Sequence, residues 1–429
     1  MTLVSMKFRK INHLVLLAVL ATGLISCKEG NSVYDPGYEP SRPNPVVTNI
    51  TPEDGYLAGV DSVIVTGENF ATDVDSVVIN FGGSAGVVKS ATKTRLVVRP
   101  GTIWGDDLDV RVGVRGAEFF SEAYQYDLFQ PFGLYPGVDD SNTPTSPVAV
   151  DAQNNIYTII NTNGIIRYTR ISPDGTVTTD MTRYPTELDD NDNPYPADSS
   201  MRFTAYSTME VGPNGDLFMA QQNLRAIFSK TFGDDLQEGV WAASSSGNLK
   251  IRDIVFDNNG YLWVVGADSD QIHRFNTANK NESKTPFAGA LSSVAFYSNN
   301  NELFVGGEID GGQKVWKFTI DGGGNLTQGG LYFDYGQHYG GSVSDMIFAS
   351  NGELIITTGR EINDVSKPSM VRVFPDGRHE AFYEGMLKPG ATSITWRDDE
   401  FAVVTVRGDE NSINFLDMND RRRAGIFGF

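Results

Sequence analysis

The run IRDIVFDNNGYLWVVG, residues 251–266, holds two strands and the turn between them. Ile254 and Phe256 stand two apart, the spacing that places side chains on one face of a strand. Asp257-Asn258-Asn259-Gly260 follows, and Asn and Gly tolerate the positive φ that a tight hairpin needs. A second apolar run then begins at Tyr261. Five other stretches repeat the pattern: SPVAVDAQNNIYTII from Ser146, STMEVGPNGDLFMAQ from Ser207, LSSVAFYSNNNELFVGG from Leu291, VSDMIFASNGELIITTG from Val343 and ATSITWRDDEFAVVTVR from Ala391. Their inward pairs are Val148/Val150, Met209/Val211, Val294/Phe296, Met346/Phe348 and Ile394/Trp396.

Successive first inward residues lie 61, 45, 40, 52 and 48 positions apart, a period that suits four-stranded propeller blades better than solenoid coils. Third strands follow in IIRYTRI, DQIHRF, QKVWKF and MVRVF, and several close on turns such as Pro173-Asp174-Gly175 and Pro375-Asp376-Gly377. Six blades are expected. The longer first spacing leaves room for a weakly marked seventh blade between Asp180 and Tyr206, but its stretch RYPTELDDNDNPYPADSS, residues 183–200, is too polar and proline-rich for a clean blade and reads as a long loop. Either the segment near Gln125–Phe132 or the tail RRAGIFGF pairs with the last blade to close the ring.

Upstream, residues 45–128 alternate in strand fashion through SVIVTGENF, SVVINFGG, TRLVVRPG and LDVRVGV, with turn residues between the runs. This is the pattern of a β-sandwich. The phrase apolar-x-apolar-D-x-N-G-x-apolar-aromatic resembles the NHL-type propeller from about residue 129 to 429. Ile50, Pro52, Gly55, Gly67, Asn69, Phe70, Phe81-Gly82-Gly83 and Leu96 to Pro100 resemble the landmarks of an IPT/TIG domain, an immunoglobulin-like fold. The resemblances imply an all-β chain: an immunoglobulin-like sandwich followed by a six-bladed propeller. Trp104, in the sandwich loop GTIWGDD, either fills the end of that domain or meets a ligand.

The first 26 residues have the layout of a secretory signal. Lys7, Arg9 and Lys10 precede the apolar stretch Leu14–Ser26, which is shorter than the ~20 residues needed to span a bilayer. Cys27, the single cysteine, follows directly, and the pattern resembles a bacterial lipoprotein signal. That resemblance makes Cys27 the lipidated first residue of the mature chain. Residues 27–44, polar and rich in Gly, Pro, Ser and Asn, read as a disordered tether. Lys28-Glu29 resembles the start of the outer-surface export signal of Bacteroidota lipoproteins, and so implies an outer-membrane protein facing the exterior.

The chain has 54 acidic and 34 basic residues, a net charge of −20. Removing a signal that holds three of the basic residues leaves −23. Such a chain repels phosphate backbones and anionic lipid head groups, which argues against nucleic acid as a partner and leaves the lipid as the membrane contact. One cysteine permits neither a disulfide framework nor a cysteine-based zinc site.

In a propeller, the turns from second to third strand and the connections between blades open on one face, where ligands are sought. Gln222, Arg225, Asp268, Glu308, Arg360 and Arg407 fall on or beside the second-to-third-strand turns. Tyr184 and Tyr195 lie in one long connection and Tyr335, His338 and Tyr339 in another. Aromatic rings among amides and carboxylates suit a sugar, whose C–H faces stack and whose hydroxyls hydrogen-bond; the same rings can fold back over the blade tops. Trp241 is the tryptophan of the propeller least tied to core packing. Asp189, Asp190 and Asp192 offer clustered oxygens to calcium but lack the spacing and glycine of a calcium loop, and a solvated acidic loop is the favoured reading. His273 is expected to pack and His379 to lie on an outer strand.

No nucleophile, base or metal set stands out in the sequence. The layout of anchor, tether, spacer and propeller resembles surface glycan-binding proteins of SusC/SusD-type uptake systems, which implies non-catalytic capture of a glycan without a cofactor. Two other readings stay open: a glycan hydrolase or lyase working through Glu308, Glu361, Asp268 or His338, and a protein-binding accessory of an outer-membrane transporter.

Overall fold

The computed structural model describes residues 41–138, 143–144, 147–162, 165–183, 206–221, 225–233, 240–359, 366–388, 390–398, 400–407 and 411–424. Cys27 and the tether up to residue 40 lie outside these residues, as do Tyr184, Tyr195, Gln222, Arg360, Glu361, the run Asp189, Asp190 and Asp192, and the question of a seventh blade between 184 and 205.

The N-terminal sandwich has two sheets. One orders Val46–Thr51, Val63–Glu68, Arg95–Arg99 and Val87–Ala91; the other orders Tyr56–Leu57, Tyr124–Phe129, Gly105–Val114, Val77–Phe81 and Ser84–Ala85. Strand parity sends Val63, Val65, Ile79, Phe81, Leu96, Val98, Val110 and Val112 into one shared core.

Six further sheets follow among the described residues, and each carries the four-stranded antiparallel order of a blade. Blade 1 comprises Ala149–Val150, Ile156–Thr162, Ile165–Ile171 and Val177–Arg183, with Thr143–Pro144 added beside its second strand. Blades 2 to 5 begin with Tyr206–Val211, Lys250–Phe256, Ala290–Tyr297 and Asp345–Phe348. Blade 6 is Ala391–Trp396, Phe401–Val406 and Ser412–Asp417, completed by Phe132–Leu134 from the start of the propeller. Of the two candidates for ring closure the N-terminal one is used: Phe132 faces Leu416 and Leu134 faces Asn414. Eleven of the twelve inward residues are buried; Phe296 is half-buried.

The aspartate that opens the hairpin turn in blades 1 and 3 has a local role. The Asp257 carboxylate accepts the amides of Asn259 (2.8 Å) and Tyr261 (3.1 Å), while its other oxygen accepts the indole N–H of buried Trp263 (2.8 Å). Asp151 does the same for Gln153, Asn155 and the Tyr157 hydroxyl. One carboxylate thus satisfies the turn amides and the aromatic of the second strand, including the Trp263 indole N–H, which would otherwise be buried unpaired. Positive φ appears where the turn chemistry requires it, at Asn154 (63°) and Gly260 (77°).

The sandwich packs against the side of the ring. Leu57 and Val60 share a buried cluster with Phe382, Tyr383 and Leu387 of blade 5 and its exit. Around them, Asp61 pairs with Arg372 and Arg421, Lys89 with Glu380 (3.0 Å) and Arg99 with Glu384 (2.6 Å). The Tyr383 hydroxyl donates to the carbonyl of Pro131 (3.0 Å) or Asp417 (2.6 Å), which ties the interdomain segment to the last blade. No helix among the described residues is long and apolar enough to cross a membrane.

Candidate ligand face and axial cavity

Antiparallel order places every second-to-third-strand turn at the same end of its blade. Arg225 and Glu308 are exposed there, and Arg407 is half-buried. Asp268 is exposed with a φ of 67° and pairs with Lys250 at 2.6 Å. These four residues therefore decorate one face from blades 2, 3, 4 and 6. Beside Glu308 a wide, shallow depression is bounded by Asp310, Gln313, Lys314, Asp334 and Gln337.

The aromatic candidates fall elsewhere. Asp334 caps the one-turn helix Tyr335–His338, accepting the Gln337 amide at 3.0 Å. This turn buries Tyr335 completely, against Phe333 and Tyr339, so its ring has no free face for a sugar. His338 stacks on Phe333 (5.5 Å between centroids, 9° between planes) and touches His379 at 4.2 Å. Tyr339 shares a 2.8 Å hydrogen bond between its hydroxyl and His379 Nδ1. His338, Tyr339 and His379 thus assemble on the outer strand of blade 5 and the connection leaving the outer strand of blade 4. That is the rim of the ring, not its mouth. Burial and the neighbouring His338 push the His379 imidazole below its usual range.

Trp241 does pack: its ring meets Phe218 at 5.2 Å and Phe275 at 6.2 Å, joining blades 2 and 3. His273 is buried between Glu282 (2.8 Å) and Ser269 (3.2 Å). Trp104, 43% exposed, sets its edge against Phe132 at 6.1 Å, beside the domain joint.

Along the ring axis lies a cavity of about 140 Å³. The residue before each first inward position lines it: Thr208, Asp253, Ser293, Asp345 and Ser393, with Pro147 in blade 1. Asp253 accepts the Thr208 hydroxyl of blade 2 (2.9 Å), its neighbour's amide at Ile254 (2.8 Å), and both the Ser293 hydroxyl (3.1 Å) and Val294 amide (2.8 Å) of blade 4. Asp345 accepts the amides of Met346 (2.7 Å) and, in blade 6, Ile394 (2.8 Å). These carboxylates staple adjacent blades. Burial raises both carboxyls above the ordinary range, and the charge of Asp253 adds to the rise at Asp345. Glu210, in the same cavity, is pushed up to about 7 by burial; Arg423 partly offsets this and Asp253 adds to it.

Arg423 belongs to the tail that was one of the candidates for ring closure. Its described part instead runs beside the first strand of blade 5 at the edge of the cavity, where Arg423 bridges Ala349 and the Ala424 amide donates to the Phe348 carbonyl (3.3 Å). A ligand pocket typically offers about 300–1,000 Å³. The axial cavity, at about 140 Å³, is smaller. Among the described residues no group of three or more His, Cys, Asp or Glu side chains is placed to hold a metal ion.

Asp253 and Asp345 were not singled out from the sequence, although a signal existed. They are the acidic occupants of a repeat position that holds Thr, Ser or Pro in the other blades.

Residues 45–130 match the IPT/TIG domain. No curated protein matches the chain. Solved structures with a similar course include a protein of unknown function from Bacteroides thetaiotaomicron, 14% identical, covering 90% of this chain and 100% of its own, with a TM-score of 0.47. An auxiliary nutrient binding protein from Bacteroides ovatus is 13% identical over 88% of this chain and 99% of its own, with a TM-score of 0.48. A gluconolactonase from Xanthomonas campestris is 14% identical over 67% of this chain and 88% of its own, with a TM-score of 0.45.

Proposed function

We propose that this chain is a non-catalytic lipoprotein, anchored through Cys27 in the outer membrane and facing the exterior, whose propeller captures a glycan for a SusC/SusD-type uptake system. One observation carries the reading. The sandwich docks on the outer strands of blade 5 and on the tail, while exposed Arg225, Asp268 and Glu308 face solvent on the turn ring. A spacer fixed to the side of the ring leaves that face open to a ligand. Charged and amide groups there match the hydroxyls of a sugar chain. The depression beside Glu308 is lined by charged, amide and glycine residues, unlike the apolar slot that small hydrophobic ligands require.

Native gel electrophoresis through starch, arabinoxylan, pectic galactan or mannan tests the proposal. Capture predicts slowed migration in at least one polysaccharide and no new reducing ends after incubation with it. New reducing ends would replace capture with hydrolysis or lysis. Copurification with an outer-membrane transporter without retardation in any polysaccharide would favour the protein-binding alternative.

A further inference from the structure

Phe119 and Phe120 stand out among the side chains of the sandwich because they are large, apolar and left in water, at 62% and 50% exposed. Val78, on an adjacent strand, is 53% exposed. Val78 faces Gly113 across the sheet, and the Phe120 ring lies over that glycine so closely that a Cβ there would meet Cε1 at 2.7 Å. The pair is also held outward. Ser121, the next residue, is buried and exchanges two hydrogen bonds with Val112, giving its amide to the carbonyl (2.8 Å) and accepting the amide on its hydroxyl (3.0 Å). Among the described residues the outer faces of the two rings stay uncovered.

The patch sits where the N-terminal segment enters the domain. The Asn44 side chain accepts the Phe119 amide at 3.0 Å, and the Arg42 amide donates to the Gly116 carbonyl at 3.1 Å. From Cys27 to Ser41 is 14 residues along the chain, a reach of at most about 50 Å. A lipid on Cys27 therefore confines this patch near one leaflet, where the second contact becomes intramolecular and a shallow apolar surface suffices.

We infer that Phe119, Phe120 and Val78 form a lipid-facing wedge that seats the sandwich on the leaflet holding Cys27. This rests on the lipid-anchor part of the proposed function. The wedge fixes the attitude of the sandwich and, through the Asp61 joint, that of the propeller.

The test uses the chain from Cys27 onward, coupled through its only thiol to a maleimide lipid in phosphatidylcholine vesicles, so that the anchor is supplied whatever the native modification. Brominated phosphatidylcholine should quench the difference emission, Phe119→Trp minus wild type, which isolates residue 119 from the five native tryptophans, at least twofold relative to unbrominated vesicles, with the wild-type emission itself nearly unchanged. An unaltered melting temperature for Phe119→Trp confirms the fold. Quenching of Phe119→Trp no greater than that of the wild type overturns the wedge. Cross-linking of residue 119 to a membrane protein in intact cells also overturns it, giving the patch to a protein partner. The mass of the Cys27 peptide from native membranes judges the anchor separately: an unmodified Cys27 refutes the anchor and the wedge with it, whereas a lipidated Cys27 without excess quenching overturns the wedge alone.

Discussion

Asp61 of the sandwich receives both arms of the Arg421 guanidinium, Nη1 on Oδ2 at 2.7 Å and Nη2 on Oδ1 at 2.9 Å. Arg372 reaches the same carboxylate, and Arg421 also gives Nε to Glu353 at 2.6 Å. Both arginines lie about 5 Å from the Phe382 ring, so the network is built into the apolar joint rather than laid over it. Removing one partner of a buried pair leaves uncompensated charge. Asp61→Ala is expected to cost about 3–5 kcal/mol in chemical denaturation and to split one unfolding transition into two, one for each domain.

The same network sets an acid limit. Burial raises the Asp61 carboxyl, but Arg421 and Arg372 outweigh burial and hold it far below the ordinary range. Its stabilisation is therefore fully present above the unfolded value of about 3.9 and is lost as the pH falls below it. Between pH 5 and pH 2 the melting temperature of the wild type should fall more steeply than that of Asp61→Asn.

Glu210 titrates in the opposite sense. With its carboxyl raised to about 7, the folded state favours the protonated form, so its contribution is present at low pH and is lost as the pH rises from about 4.3 to about 7. Glu210→Gln should flatten the melting temperature across pH 4.5 to 7.5 relative to the wild type. Parallel profiles would place the Glu210 carboxyl in water.

Asp257 supports its turn and Trp263 together. Asp257→Ala leaves the buried indole N–H and two turn amides without their acceptor. An unsatisfied buried donor costs about 1–3 kcal/mol, and the loss should appear as a lowered denaturation midpoint with the slope unchanged.

The six blades and the sandwich were legible because strand parity and turn chemistry are local, and each repeat states both within about 16 residues. Ring closure was not local. Phe132 and Leu416 pair across most of the propeller sequence, and no local pattern distinguishes that segment from the tail. Side-chain exposure in the connections was equally hidden. Tyr335 is buried by a single helical turn that Asp334 caps, and Trp241 is covered by Phe218 and Phe275 from adjoining blades. Asp253 and Asp345 needed the repeats to be compared column by column, since an acid inside an apolar strand is conspicuous only against its counterparts.

Glycan capture on the turn ring is tested most directly by calorimetric titration of whichever polysaccharide slows the protein in the gel. The comparison is between wild type, the ring variant Asp268→Ala/Glu308→Ala, and the rim variant His338→Ala. The account predicts at least tenfold weaker binding for the ring variant and wild-type affinity for the rim variant. Undiminished affinity in the ring variant, with loss in the rim variant, would contradict it and move the ligand to the boundary between blades 4 and 5.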